Sequence, residues 1–219
     1  MIYELSRNDF SFPNPNDAND DGLLAIGGDL NTQRILNAYK SGIFPWPYRD
    51  LPLLWFSPLK RALLYPKDLH VSKSLQKNIK RYEVRCDANF EEVIKNCAKT
   101  RDDGLGTWLR DDMIEAYIKL YDKGFAHSWE TYFDGELIGG LYGLKFGKIF
   151  CGESMFSKKS DASKVALFYL CQDMIKIDGI IDCQIQNNHL KSLGTIEVTR
   201  TEYLKILKNS FTIETLIIY

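Results

Sequence analysis

Apolar positions recur with a helical period through much of the chain and switch to alternation in one long block. Ile35, Leu36 and Tyr39 form a stripe behind Asn31 and Thr32, either of which can cap a short helix that Gly42 ends. Leu63–Tyr65 reads as a short strand, and Ser72 caps a helix through KSLQKNIKR. Phe90, Val93, Ile94 and Cys97 mark another amphipathic helix, and Ile114, Tyr117, Ile118 and Tyr121 one more. From residue 127 the pattern becomes strand-like: HSWETYF, ELIGGLYGLKF and IFCGESMF, joined by turns at Asp134-Gly135 and Gly147-Lys148. A long helix over 161–177 follows, then a strand IIDCQIQ, a helix NNHLKSLG, a strand IEVTR, a helix through YLKILK and an apolar end, TLIIY. This order predicts an α+β fold of mixed layers with its core sheet at about 127–200.

The first 60 residues are less regular. FPNPNDANDDG is dense in turn formers, and GLLAIGGDL reads as a glycine-rich bend. Pro45, Pro47, Pro52 and Pro58 argue against a long helix or a central strand between 44 and 59. Phe44, Trp46, Trp55 and Phe56 sit there nonetheless, either as a small satellite core or as the wall of a pocket. The expected division is a small N-terminal domain, 1–62, and a larger one, 63–219.

Composition narrows the class without naming a function. With 219 residues, 45% hydrophobic and 26% charged, the chain is neither disordered throughout nor collagen-like nor a coiled coil. Its apolar runs are too short for a membrane-spanning helix, and MIYELSRNDF lacks the basic leader and apolar core of a signal peptide. Five scattered cysteines without a Cys-x-x-Cys suit a reducing compartment, so a cytoplasmic protein is expected. The formal net charge of -1 conceals an acidic stretch over 1–30 and a basic one over 60–85. Within the latter, Lys73, Lys77, Lys80 and Arg81 gather on one helical face without interspersed acids. That face is a nucleic-acid footprint or a solubilising surface.

Metal and nucleotide-cofactor chemistry have no motif here. His70, His127 and His189 lack ligand spacing, and neither GLLAIGGDL nor GGLYGLKFG is a Walker or dinucleotide loop. The chemistry-bearing residues are instead polar groups inside apolar strands: Glu153, Asp182, Gln184, and His127 with Glu130. A period of two puts Asp182, Gln184 and Gln186 on one strand face and Ile181, Cys183 and Ile185 on the other. The polar face is either solvated, leaving Asp182 ordinary, or the wall of a covered cleft. From residue types alone, a non-enzymatic RNA-binding module and a small-molecule acyltransferase both stay open, though SKKSDASK lacks a phosphate-cradling glycine loop.

Ten blocks, in order, carry a more specific likeness: GLLAIGGDL (22–30), AYKSGIFPW (38–46), WFSP (55–58), TWL (107–109), GFAHSWE (124–130), GELIGGLYG (135–143), FCGESMFS (150–157), ASKVAL (162–167), DCQ (182–184) and HLKSLG (189–194). With these the chain closely resembles the bacterial leucyl/phenylalanyl-tRNA–protein transferases over roughly residues 2–210. It departs mildly, with Leu54-Trp55-Phe56 where paired tryptophans are common, Leu141 where some members have Met, and Thr195 where Ala is usual.

The resemblance implies an enzyme that moves Leu or Phe, and Met less well, from aminoacyl-tRNA to proteins beginning with Arg or Lys, creating a degradation signal. It implies a small N-terminal domain joined to an N-acetyltransferase-like (GNAT-like) domain. No cofactor, ATP or metal is expected, because the aminoacyl ester is already activated, and no membrane partner is expected. By the same resemblance Asp182 attracts the substrate's α-amino group, either holding the charged terminus or accepting a proton through Gln184, Gln184 stands beside the reacting centre, and Glu153 lies at the acceptor or donor cleft. Met155 and Leu141 receive the Leu or Phe side chain, and Trp46 and Trp108 meet the terminal adenosine. The shared face of Lys73, Lys77, Lys80 and Arg81, by its spacing, is expected to contact phosphates of the tRNA body.

Overall fold

A computed structural model describes residues 2–46, 51–99 and 109–211. Two sheets organise it. The smaller contains β1 (Tyr3–Leu5), β2 (Leu23–Gly27), β3 (Phe44–Trp46) and β4 (Leu54–Phe56) in the order β1-β2-β4-β3. Two expectations are corrected here. The glycine-rich bend holds strand β2, and β4 lies between two neighbours despite the surrounding prolines. Proline is tolerated because Pro45 sits on the edge strand β3, while Pro52 and Pro58 flank β4. Trp55 is fully buried between these elements, and its indole N–H donates to the Gly27 carbonyl at 3.0 Å.

Helix α1 (Thr32–Lys40) starts as expected, with the Asn31 side chain accepting from the Gln33 N–H. Its stripe of Ile35, Leu36 and Tyr39 turns away from the small sheet's own core and joins Phe44, Leu63, Tyr117 and Tyr142 in the largest hydrophobic cluster. The small sheet is therefore packed onto the large one through α1. The aromatics between 44 and 56 divide accordingly, Trp55 into the satellite core and Phe44 into the main one.

The large sheet has seven strands: β5 (Lys60–Leu64), β6 (Glu83–Cys86), β7 (Ala126–Phe133), β8 (Glu136–Phe146), β9 (Ile149–Ser157), β10 (Ile180–Gln184) and β11 (Ile196–Thr199). Their order is β11-β5-β10-β9-β8-β7-β6. The predicted hairpins β7–β8 and β8–β9 are present, but the sheet reaches beyond 127–200 by recruiting β5 and β6. The expected boundary at 62/63 falls inside β5.

Alternation along the strands buries both faces. Helices α3 (Phe90–Lys99) and α4 (Asp111–Asp122) cover the face carrying Tyr142, Leu144 and Cys151. Helix α5 (Ala162–Lys176) covers the face carrying Leu141, Phe150 and Ile181. Helix α2 (Lys73–Ile79) packs beside α5, with Ser72 capping it and Leu75 buried. It ends one residue before Lys80, so Lys80 and Arg81 extend the basic surface from the chain just past the helix. The short α6 (Asn188–Ser192) and then α7 (Arg200–Ser210) complete the described chain.

Candidate functional site

Among the described residues, the only parallel pairing in the large sheet is between β9 and β10, and it is brief. Ile149–Cys151 pair with Ile180–Asp182, after which β9 continues along β8 and β10 along β5. Two parallel strands that part at their carboxyl ends leave a cleft between them. A cavity of about 300 Å³ opens at this fork.

Local irregularity in both strands shapes the fork. On β9, Gly152 opposes Gly143 and Ser154 opposes Tyr142, so Glu153 is the extra residue of a β-bulge. Gly143 allows the approach, because a Cβ there would lie 2.2 Å from the Cys151 carbonyl oxygen. On β10, Asp182 opposes Leu63 and Gln184 opposes Ala62, which makes Cys183 the extra residue of a second bulge. Gln184 adopts a left-handed φ of 62°, rare for a residue with a side chain. The Ile180 N–H donates to Lys148, and a regular ladder would send the Gln184 N–H onward to β9. It donates instead to Asp182 Oδ1 at 2.9 Å, and the strands separate.

Strict alternation therefore fails in IIDCQIQ. Asp182 and Gln184 are both buried, but Asp182 does not line the cavity whereas Gln184, Cys183 and Ile185 do. Asp182 is not part of a solvated face. Arg61 Nε donates to its Oδ1 at 2.7 Å and Nη2 to its Oδ2 at 2.6 Å, while the Tyr203 hydroxyl donates to Oδ2 at 2.7 Å. The Arg61 guanidinium lies between the rings of Phe44 and Tyr203, 4.6 and 4.4 Å from their centres. Burial alone would favour losing its proton, but the Asp182 carboxylate outweighs this and holds it charged. Asp182, expected at the acceptor's ammonium, has its oxygens buried in the core against a permanent cation. Arg61, counted in the basic stretch, likewise adds nothing to the surface field.

Glu153 lines the cavity from its bulge, hydrogen-bonded to Gln184, which lines it too. Gln184 Nε2 and the Tyr39 hydroxyl donate to Glu153 Oε1 at 2.9 and 2.7 Å, and the Tyr117 hydroxyl donates to Oε2 at 2.8 Å. Burial pushes the Glu153 carboxyl up to about 7, against the lowering pull of the two tyrosines. Tyr39 and Tyr117 were not legible as site residues, since both read as helix stripe. Their hydroxyl groups are the polar tips of a buried apolar face.

The rest of the lining is largely apolar. Leu141 and Met155 are direct cross-strand partners on β8 and β9, and both line the cavity with Phe150, Leu170, Ile181 and Cys183. Trp46 stands at its edge on β3. Trp108 lies outside the described residues.

The basic cluster is elsewhere, on α2 and the chain just past it. Lys73, Lys77, Lys80 and Arg81 are exposed. The neighbouring acid, Asp161, accepts hydrogen bonds from Ser74 and Asn78 and pairs with Lys164. Arg81 and Lys159 both lie over the Phe133 ring, at 4.4 and 4.3 Å, so Lys159 belongs to the same surface. Among the described residues no cluster of His, Cys, Asp and Glu could hold a metal, and no helix is long and apolar enough to cross a membrane.

Residues 63–208 match the family described as leucyl/phenylalanyl-tRNA protein transferase, and residues 28–59 match the N-terminal domain of the same family. A leucyl/phenylalanyl-tRNA–protein transferase of Sulfurimonas denitrificans is 48% identical over 209 residues, covering 93% of this chain and 90% of that one. Its counterpart in Thermodesulfovibrio yellowstonii is 48% identical over 220 residues, covering 99% and 90%. Among solved structures, FemX is similar at 9% identity and a TM-score of 0.48, over 77% of this chain and 66% of that one. A GCN5-related N-acetyltransferase from Kribbella flavida is similar at 12% identity and a TM-score of 0.38, over 74% and 58%.

Proposed function

The chain belongs to the leucyl/phenylalanyl-tRNA–protein transferase family, and from that premise we propose that the cavity at the β9–β10 fork holds the aminoacyl group during transfer. The protein is an aminoacyltransferase that moves Leu or Phe from tRNA to protein. The reaction is attack of an amine on an ester, in which a C–N bond forms and the ribose oxygen leaves. The observation that carries the placement is the cavity's lining: apolar Leu141, Met155, Phe150 and Ile181 share it with the hydrogen-bonded pair Glu153 and Gln184. An apolar side chain held by the first group would place its own ester carbon within the same cavity as the second. Fixing two reactants in this way accounts for several kcal/mol of a barrier.

In this reading Gln184 orients the reacting groups, and Asp182 is a positioning residue that acts through the Gln184 backbone. Trp46 offers a stacking surface to the terminal adenosine, and Trp108 is assigned the same role from its sequence block. Lys73, Lys77, Lys80 and Arg81, with Lys159, contact phosphates of the tRNA body. Acceptors begin with Arg or Lys, and the product carries a destabilising N-terminal residue. The small N-terminal unit and the catalytic unit act as two domains of one enzyme. Five unpaired cysteines favour the cytoplasm as its compartment.

The test is direct. Purified protein with labelled Leu-tRNA should label an Arg- or Lys-initiated peptide without ATP, and should not label one beginning with Ser. Equal labelling of all three peptides would overturn the acceptor assignment. Full activity after bulky residues replace Leu141 and Met155 together would overturn the cavity.

A further inference from the structure

Three oxygen–oxygen contacts close a triangle at Glu153, which lines the cavity. Tyr39 Oη lies 2.7 Å from Glu153 Oε1, Tyr117 Oη lies 2.8 Å from Glu153 Oε2, and the two phenolic oxygens are 2.7 Å apart. Each contact is hydrogen-bond length and needs one proton. An ionised Glu153 leaves two phenolic protons for three contacts, so one oxygen pair faces itself with no hydrogen between. A protonated Glu153 supplies the third. The carboxyl donates to Tyr117, Tyr117 to Tyr39, and Tyr39 back to Oε1, while Gln184 donates to Oε1 throughout. The ring thus accepts one proton and is complete when it has done so.

We propose that Glu153 is the group that takes and returns the reaction's protons, and that Tyr39 and Tyr117 position it in both states by reversing one hydrogen bond. The proposal rests on the reading that transfer occurs in the fork cavity. The acceptor arrives as an ammonium ion, and the Glu153 carboxylate takes one proton to free its lone pair. That pair forms the C–N bond, and the ester C–O pair passes to the ribose oxygen. This oxygen takes the proton that Glu153 holds. The new nitrogen gives its surplus proton to Glu153, from which it passes to water, so that the net reaction releases one proton.

The surroundings leave Glu153 free to perform this role near neutral pH. Tyr39 faces it from α1, Tyr117 from α4 and Tyr142 from β8, Cys97 of α3 lines the same cavity, and all four stay neutral because burial raises them. Cys151 on its own strand is raised in the same way. Asp182 on β10 and Arg61 on β5 act on it in opposite senses as an ion pair. His189, at the cavity wall on α6, titrates below its ordinary value through burial and Lys164. General acid–base assistance of this kind is worth about 10²–10⁴-fold, and is best matched when the group titrates near working pH.

Glu153→Gln copies the protonated state, since its amide can donate to Tyr117 and accept from Tyr39. Fold and ring are kept while proton transfer is lost. With saturating Leu-tRNA and an Arg-initiated peptide, kcat at pH 7.5 should fall about 10²-fold or more, with the acceptor KM within a few-fold. The activity limb near pH 7 should vanish, leaving only the limb of the α-amino group near 7.7–8.0. Tyr39→Phe/Tyr117→Phe removes both phenols that stabilise the carboxylate, and should move the wild-type limb to higher pH. Infrared difference spectra of the wild type should show a protonated carboxyl lost between pH 6 and 8, absent in Glu153→Gln. A Glu153→Gln enzyme with an unchanged limb, or one impaired only in KM, would overturn the proposal. Failure of the wild type itself to label the peptide would instead overturn the transfer-site reading.

Discussion

Arg61 and Asp182, separated by 121 positions in the chain, meet as a two-pronged ion pair with neither side chain reaching solvent. The same carboxylate oxygen that receives Arg61 Nε also holds the Gln184 N–H. One residue therefore neutralises a buried cation and ends a strand pairing.

Breaking that pair should cost stability before it costs chemistry. Removing one partner of a buried ion pair destabilises by about 3–5 kcal/mol, because the other charge is left uncompensated. Asp182→Asn should lower Tm by on the order of 10 °C and reduce kcat/KM for donor and acceptor together, as Gln184 loses its anchor. Thermal denaturation alongside steady-state kinetics checks this. An unchanged Tm with a defect confined to the acceptor would restore Asp182 as its direct contact.

Glu153 should make the protein less stable as pH rises. Its carboxyl titrates at about 7 when folded, against an ordinary value of 4.5. The folded state thus holds its proton more tightly, and stability present below pH 4.5 declines as pH rises to about 7. A difference of this size corresponds to roughly 3 kcal/mol above pH 7. Denaturant titrations should find Glu153→Gln matching the wild type at pH 4.5 and exceeding it at pH 8. Equal stability differences at both pH values would exclude the linkage.

The Leu141–Met155 pair should set donor preference. Met155→Phe narrows the cavity from one side while remaining apolar. Apolar pockets discriminate by about 1–3 kcal/mol per methylene, so Phe transfer should fall more than Leu transfer, by tenfold or more. Competition between Phe-tRNA and Leu-tRNA reads the ratio directly, and an unaltered ratio would place Met155 outside the side-chain site.

Neutralising Lys73, Lys77, Lys80 and Arg81 should weaken tRNA binding and flatten its salt dependence, by roughly one unit of log–log slope per lost phosphate contact. Transfer from a minimal aminoacyl-adenosine should persist. A slope identical to the wild type would remove the α2 surface from the interface.

Local chemistry was legible wherever short-range rules govern. Asn31 and Ser72 cap the helices they precede, and Asp134-Gly135 turns the hairpin it interrupts. Alternation failed at Gln184 because a bulge displaces the period, and nothing in DCQ announces a left-handed residue. Arg61 read as part of a basic surface because its partner is distant in sequence. Tyr39 and Tyr117 were visible as apolar stripe positions, while their hydroxyl roles depend on a carboxylate that neither helix contains. Glu153 could be found as a charge in an apolar strand, but not as the extra residue of a bulge.

The placement of Tyr39 has a consequence for how such enzymes can diverge. Its helix belongs to the segment that matches the family's N-terminal domain, and Glu153 to the segment that matches the rest of the same family. A chimera joined near Leu59 would unite a phenol from one parent with a carboxylate from another across the same proton-holding triangle. A shift in either backbone must therefore be answered in its neighbour, and recombination at the junction that looks most permissive would pull apart the Tyr39–Glu153–Tyr117 contacts.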